Sequence, residues 1–102
     1  MDKFISFVNM IQIRPSSYLS QRSVTQISML FLGYESACMV YKLEGNPHEF
    51  LFRFGEFVSQ YYELATSSKG WSQIILEKNN GDEEKGLNDF FRLFELFLKV
   101  KG

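Results

Sequence analysis

Apolar residues recur three and four positions apart along most of the chain, which is the spacing of the buried face of an α-helix. A first stripe precedes Pro15 and contains Phe4, Val8 and Ile11, with Phe7 beside it on the same helix. Pro15 ends this helix because the residue before a proline avoids helical backbone angles. A second stripe, which we expect to end near Gly45, contains Ile27, Leu30, Phe31, Tyr34, Ala37, Cys38 and Tyr41. The pattern therefore predicts two helices in the first half of the chain.

Short polar signals mark where the predicted helices begin. Ser23 has the character of an N-cap, and Gln26 three residues later completes a capping box. Asn46 and Pro47 indicate another start, because Asn is a good cap and proline is favoured at the first helical position. Asp82 is the expected cap of the last helix. These signals divide the chain into helical segments with short connections.

The second half of the chain repeats the helical spacing and has no convincing run that alternates like a β-strand. The third helix is predicted from Phe50, Phe54, Phe57, Val58, Tyr61 and Leu64. A loop at residues 66–70 leads to a short helix from about Trp71 to Glu77. The last helix is expected to bury Leu87, Phe90, Phe91, Phe94 and Leu98, with Leu96 and Phe97 to the side of that stripe. We therefore predict an all-α fold, a single compact domain of four to five helices over residues 1–102.

Composition adds that this domain is rich in aromatic residues and poor in catalytic ones. The 102 residues include 11 Phe, 5 Tyr and 1 Trp, but 1 His and 1 Cys. The net charge of −1 argues against a nucleic-acid partner, whose binding needs clustered Lys and Arg. The lone Cys38 excludes an internal disulfide and is expected to be a buried thiol. The chain thus has the composition of a binding protein.

The residues offer little for catalysis or metal binding. His48 is the single imidazole base, and we expect it to face solvent or to cap a helix. The spacing of residues excludes a calcium-binding EF-hand loop. If Gly81 were its turn glycine, Leu76 and Leu87 would stand at ligand positions, and leucine cannot bind a metal. We predict no catalytic residues, no cofactor and no metal. A carboxylate enzyme would require two acids in contrasting environments.

Seven residues are candidates for binding a protein partner. Glu49, Glu56 and Glu63 recur every seven residues and are predicted to share one face of the third helix, either as a solvated face or as an acidic strip for a basic partner. An acidic cluster at the last helix either caps it or extends that surface. Trp71 is either a lid on the core, which we favour, or an exposed anchor. The full set is Glu49, Glu56, Glu63, Trp71, Asp82, Glu83 and Glu84.

The cellular location of the protein is predicted from its N-terminal residues and from its least charged segment. The N-terminus lacks a basic region, and Asn9 and Gln12 interrupt its apolar run, so a signal peptide is not expected. Residues 23–41 are weakly charged but contain polar side chains that would need partners in lipid. We therefore expect a cytoplasmic protein with no membrane partner.

A series of short segments, in order over most of the chain, carries a family resemblance. In the first half they are Ile13-Arg14-Pro15, Tyr18-Leu19, Ser23, Phe31-Leu32-Gly33-Tyr34 and Ala37. In the second half they are Trp71, Ile74, Ile75, Asp82-Glu83-Glu84 and Phe90-Phe91-Arg92-Leu93-Phe94. Together they resemble small helical immunity proteins of bacterial contact-dependent growth-inhibition and polymorphic-toxin systems. The resemblance implies an intracellular antidote that binds its cognate C-terminal toxin domain and blocks it without catalysis.

Two hypotheses about the partner remain open from the sequence. The first is an immunity protein, monomeric when free, that binds one toxin domain; many such toxins are nucleases with basic clefts, which an acidic surface would cover. The second is a helical adaptor or homodimer, because four apolar residues fall outside the main stripes and would form an exposed patch. These four residues are Phe7, Leu51, Phe52 and Phe97.

Overall fold

Five α-helices and a 3-10 helix at Pro15–Ser17 build the fold in the computed structural model, which describes residues 2–64 and 69–101. The α-helices are α1 (Asp2–Ile13), α2 (Val24–Val40), α3 (His48–Tyr61), α4 (Trp71–Lys78) and α5 (Glu83–Lys101). The described residues contain no β-strand, so the all-α prediction is confirmed. Most of the loop predicted at residues 66–70 lies outside the described residues.

One aromatic core holds the helices together. The last helix, α5, packs against α2, α3 and α4, and α4 also packs against α2 and α3. Phe90 of α5 is fully buried, and its ring contacts those of Phe31, Phe54, Trp71, Phe91 and Phe94. The ring centroids lie 5.1 to 5.7 Å apart, a separation at which edge-to-face and offset aromatic pairs are favourable. Phe90 therefore joins residues of four helices.

The prediction of an exposed apolar patch outside the main stripes is wrong. Phe97 is 7 % exposed, because α3 lies along the flank of α5 where the Phe97 ring packs. The rings that it contacts there are Phe50, Phe54 and Phe57. Leu51 is also 7 % exposed and Phe7 is partly buried against the core, whereas Phe52 remains 57 % exposed. Of the four residues predicted to form this patch, Phe52 is the one that is largely exposed.

The N-terminus of α2 confirms one half of the capping box and corrects the other. The hydroxyl of Ser23 accepts a hydrogen bond from the amide of Gln26 at 3.0 Å, as predicted. The side chain of Gln26 does not return to Ser23, because the bend at residues 20–22 brings other donors to it. Its Oε1 accepts hydrogen bonds from the Ser20 hydroxyl and the Gln21 amide instead.

Three helices end at a residue that adopts left-handed backbone angles without being glycine. These residues are Lys42 (φ 54°) after α2, Glu63 (φ 58°) after α3 and Asn80 (φ 57°) after α4. In each case the following amide bonds to the carbonyl five residues earlier, as the Leu43 amide does to the Cys38 carbonyl at 2.9 Å. This is the hydrogen-bond pattern of a Schellman motif, which satisfies the last carbonyls of a helix.

The sequence pattern places the ends of α2 and α3 too late. The observed ends are Val40 rather than a residue near Gly45, and Tyr61 rather than Leu64. Glycine is the usual residue at the left-handed position, and a lysine or glutamate there gives no signal in the sequence. One consequence concerns function, because Glu63 leaves the helix face on which it was expected.

Replacing Lys42 by glycine is expected to raise the free energy of unfolding by about 0.5–1 kcal/mol. The left-handed conformation costs an L-residue about 1–2 kcal/mol, and the greater freedom of glycine in the unfolded chain offsets part of that gain. Urea denaturation measures the change. The same substitution at Lys99, inside α5, should lower stability by about 1 kcal/mol. A loss of stability at both positions would contradict the strain at Lys42.

Candidate protein-binding surface

Helices α3 and α5 run antiparallel and leave a groove between their solvent-facing sides. Tyr61 at the end of α3 lies beside Arg92 of α5, whereas Phe50 near the start of α3 contacts Phe97. The groove has a volume of about 510 Å³ and is lined by Arg53, Glu56, Phe57, Gln60, Phe97 and Val100. The rings of Phe57 and Phe97, with centroids 5.4 Å apart, form its aromatic floor. We call this site the α3–α5 groove.

A hydrogen-bond network centred on Asp89 adjoins this groove. One carboxylate oxygen of Asp89 accepts hydrogen bonds from the Tyr62 hydroxyl (2.8 Å) and from the side-chain amide of Asn79 (3.1 Å). The other oxygen accepts two from the guanidinium of Arg92, at 2.7 and 3.0 Å. Arg92 also donates to the Tyr61 hydroxyl at 2.9 Å and lies over the Tyr61 ring, 5.3 Å from its centroid. Asp89 thus ties the ends of α3 and α4 to α5.

The protonation states in this network are fixed by its contacts. Burial, assisted by the hydrogen bond to Asp89, raises the pKa of Tyr62 to about 12, so its hydroxyl remains a donor. Burial alone would raise the pKa of Asp89, but hydrogen bonds from Arg92, Asn79 and Tyr62 outweigh that effect and lower the pKa below its ordinary value. The hydrogen bond to Asp89 raises the pKa of Arg92. Arg92 therefore remains charged, and its hydrogen bonds to Asp89 and Tyr61 orient the Tyr61 side chain.

Sequence reasoning missed this network. The spacing of Asp89 and Arg92, three residues apart on one helix, suits an ion pair and could have located that part of it. Tyr62 is 27 residues from Asp89, and no local pattern connects the two. Tyr and Arg are residue types that often dominate binding energies at protein interfaces. Tyr61 and Arg92 therefore join the acidic residues as candidates for partner contact.

The acidic strip predicted on α3 is shorter than expected. Glu56 lines the α3–α5 groove and makes no ion pair with the residues that the structure describes. Glu49 lies two turns earlier and accepts a hydrogen bond from Arg53 at 2.9 Å. Glu63 stands apart from them, in the left-handed turn that follows α3. The strip consists of Glu49 and Glu56.

Glu83 of the second acidic cluster holds two helices together. Its carboxylate accepts hydrogen bonds from the Ser23 hydroxyl (2.8 Å), the Thr25 amide (3.0 Å) and the Thr25 hydroxyl (2.7 Å). Burial would raise the pKa of Glu83, but these hydrogen bonds outweigh it and lower the pKa. Since Glu83 is also in the first turn of α5, one negative charge lies at the positive N-terminal ends of α2 and α5.

The two neighbours of Glu83 are both exposed but differ in their contacts. Asp82 caps α5 as predicted, because its carboxylate accepts a hydrogen bond from the Lys85 amide at 3.0 Å. Glu84 has a side chain that is 65 % exposed, and a carboxylate oxygen lies 3.6 Å from the Arg22 guanidinium. Glu84, whose carboxylate is not used to hold the fold together, is therefore available for binding.

Trp71 closes the core at the start of α4. Its ring stacks on Phe90 with centroids 5.1 Å apart and meets Phe54 edge-on at 5.4 Å. The side chain is partly buried. Its contacts agree with the favoured prediction of a lid on the core, and part of its surface remains accessible. A partner that contacts Trp71 would therefore contact a side chain that packs directly against the core rings of Phe54 and Phe90.

The remaining reactive residues lie apart from the α3–α5 groove. The side chain of His48 is 82 % exposed, with Nδ1 3.2 Å from Oε1 of Glu35. Cys38 is 6 % exposed and confirms the buried thiol. Within residues 2–64 and 69–101, no three His, Cys, Asp or Glu side chains lie close enough together to hold a metal ion.

In the described part of the chain, no helix combines the length and apolar character needed to cross a bilayer. Comparisons with protein-family models, with curated proteins and with solved structures found no match. A function is therefore inferred from the surface of the molecule and from the segments of its sequence that carry a resemblance.

Proposed function

We propose that this chain is an immunity protein that neutralises a bacterial toxin domain by binding it, without catalysis. One immunity chain binds one C-terminal toxin domain in the cytoplasm. The resemblance of ordered sequence segments to helical immunity proteins supports this class, and an all-α fold is compatible with it. The observation that carries the proposal is the α3–α5 groove.

The α3–α5 groove combines the three contact types that strong protein interfaces use. Its floor of Phe57 and Phe97 offers apolar surface, and Glu56 on its rim offers a negative charge. Tyr61 and Arg92 stand next to the floor in a fixed geometry. Side chains that are ordered before binding lose less conformational entropy in the complex. A partner that places a basic residue beside Glu56 and an apolar residue over the floor fits this site.

The carboxylates of α3 favour a partner with a basic surface. Enzymes that act on nucleic acids carry clusters of Lys and Arg for the phosphate backbone. Glu49 and Glu56 together outweigh Arg53 on the same side of α3, and this negative balance attracts such a cluster over a distance of about 8–10 Å at physiological salt. The proposed toxin is therefore a nuclease, and its inhibition follows from occlusion of its nucleic-acid cleft.

Growth rescue and co-purification with the toxin domain encoded next to this chain test the class. We expect cells to survive the toxin when the chain is co-expressed, and the two proteins to elute as a one-to-one complex. Light scattering of the purified complex gives the stoichiometry. A chain that neither binds the toxin domain nor protects cells from it would refute the immunity function.

Replacing Glu56 by lysine is expected to weaken toxin binding about 10- to 100-fold, because it places a positive charge where a basic partner approaches. Glu95→Lys is the matched control. It changes the net charge equally, but Glu95 precedes Phe97 by two residues and so lies on the opposite side of α5. Titration calorimetry at two salt concentrations gives both affinities, and circular dichroism checks helix content. If the Glu56 variant bound the toxin domain as tightly as the natural sequence does, the groove would not be part of the interface.

A further inference from the structure

The solvent-facing side of α2 has no charged residue along the whole length of the helix. Glu35 is the one charged residue of this 17-residue helix, and its side chain is 17 % exposed and paired with His48. Eight residues of α2 are exposed; beside Thr25 and Ala37 they are Met29, Leu32, Gly33, Ser36, Met39 and Val40. We call these last six residues the outward face of α2. A surface helix normally carries charged residues on this side.

The exposure of the outward face is high, and its polar groups are satisfied. The large apolar side chains are Met29 (61 % exposed), Leu32 (54 %), Met39 (71 %) and Val40 (71 %). The hydroxyl of Ser36 donates to the Leu32 carbonyl at 2.8 Å, so it requires no outside partner. A second apolar surface can therefore cover this face without leaving a buried polar group unpaired.

Gly33 lies in the middle of this face, and the fold of the single chain does not need a glycine there. A Cβ atom at Gly33 would meet nothing within 4 Å, and Gly33 does not have a positive φ. Gly86 of α5 is different, because a Cβ there would lie 2.8 Å from Cγ1 of the buried Val24. Glycine is unfavourable inside helices. A glycine at position 33 is explained if another backbone approaches α2 closely from outside.

The outward face is complementary to itself in an antiparallel arrangement. A twofold axis that crosses α2 between Tyr34 and Glu35 places Gly33 of one copy opposite Ser36 of the other. The same axis places Met29 opposite Val40. Near the centre, where two helices approach most closely, Gly33 then faces Ser36 and Leu32 faces the small Ala37, and large residues meet at both ends. Closed twofold pairs with such self-matching patches are the commonest form of protein oligomer.

We propose that the chain forms a symmetric dimer through the outward face of α2. The six residues offer at most on the order of 600 Å² per copy, so complete burial would give a total of about 1,200 Å², the lower limit of specific interfaces. We therefore expect a weak dimer, with a dissociation constant on the order of micromolar. The dimer replaces the free monomer expected from the sequence. It shares no residue with the α3–α5 groove, so each copy retains its proposed toxin site.

Sedimentation equilibrium of the free chain, from about 1 to 500 µM, tests the dimer without any toxin present. We expect a monomer–dimer equilibrium for the natural sequence. Leu32→Glu places a charge in the interface, and Gly33→Met separates the two helices. Each should raise the dissociation constant at least about 30-fold. Because both residues are exposed, neither variant should lose helical signal by circular dichroism.

Phe52→Glu provides the control, because it puts the same charge on an exposed apolar residue of α3, away from the outward face. Its dissociation constant should equal that of the natural sequence. A monomer at every concentration would overturn the proposal. So would a dimer that persists in both α2 variants, or one that the Phe52 variant weakens equally. None of these results bears on toxin binding, so the two proposals fail separately.

Discussion

Replacing Phe90 by alanine is expected to lower the free energy of unfolding by about 3–5 kcal/mol. Phe90 is fully buried, and no neighbouring helix can move to fill the space of its ring without disturbing several other aromatic contacts. Its stacked contact with Trp71 and its edge contact with Phe54 would both be lost. Since a domain of this size is stable by about 5–15 kcal/mol, the substitution removes a large part of the total.

The measurement is urea denaturation followed by circular dichroism, with Phe52→Ala as the matched control. Phe52 is 57 % exposed, so its loss should change stability by less than about 0.5 kcal/mol. Phe90→Leu fills most of the cavity and should fall between the two. A stability loss at Phe90 that is no larger than the loss at Phe52 would contradict its central place in the core.

The second large effect is expected at Glu83, where substitution by glutamine should cost about 2 kcal/mol at pH 7. A hydrogen bond to a charged group contributes about 1.5–3 kcal/mol, and water reaching the partly exposed carboxylate reduces the total from its three bonds. Glutamine keeps one side-chain oxygen, which can still accept from the Ser23 hydroxyl and the Thr25 backbone amide, but the Thr25 hydroxyl would face an NH2 group and lose its acceptor. The N-terminus of α2 would also lose a favourable negative charge.

The effect of Glu83 should depend on pH in a defined direction. Its pKa is lowered in the folded state, so its contribution is present above the ordinary glutamate pKa of about 4.3 and is lost as pH falls through the lowered value. The stability difference between the natural chain and Glu83→Gln should therefore shrink on acidification. Asp89 titrates in the same acid range but is common to both proteins, so it cancels from the difference.

Denaturation at a series of pH values between about 3 and 8 checks this dependence. Glu84→Gln is the control, because the Glu84 side chain is 65 % exposed and its substitution should change stability little at any pH. A difference at Glu83 that stays constant across the series would show that shape, rather than charge, determines its role.

The helices could be predicted because their signals are local. The spacing of apolar residues and the caps at Ser23 and Asp82 lie within one or two turns of the features that they predict. The ends of α2 and α3 could not be predicted, because Lys42 and Glu63 adopt angles that usually belong to glycine. The burial of Phe97 was also missed, since it depends on where α3 lies against α5.

The candidate site could be predicted only in part, for a similar reason. Glu56 was identified because the sequence alone shows its spacing from Glu49. The Tyr61–Arg92 contact joins residues 31 positions apart, and only the folded chain brings them together. The outward face of α2 was missed, because the stripe that predicts α2 marks its buried side, and apolar residues on the opposite side give no signal of their own.

The α3–α5 groove divides into two parts that evolution can treat differently. Its floor residues, Phe57 and Phe97, also pack against the core, so their replacement disturbs folding. Its exposed rim residues, Arg53, Glu56 and Gln60, are free of that constraint. Substitutions on the rim can therefore accumulate with little loss of stability and alter which partner is recognised. Under the proposed immunity function, a lineage that meets changing toxins could thus acquire new specificity while inheriting its scaffold unaltered.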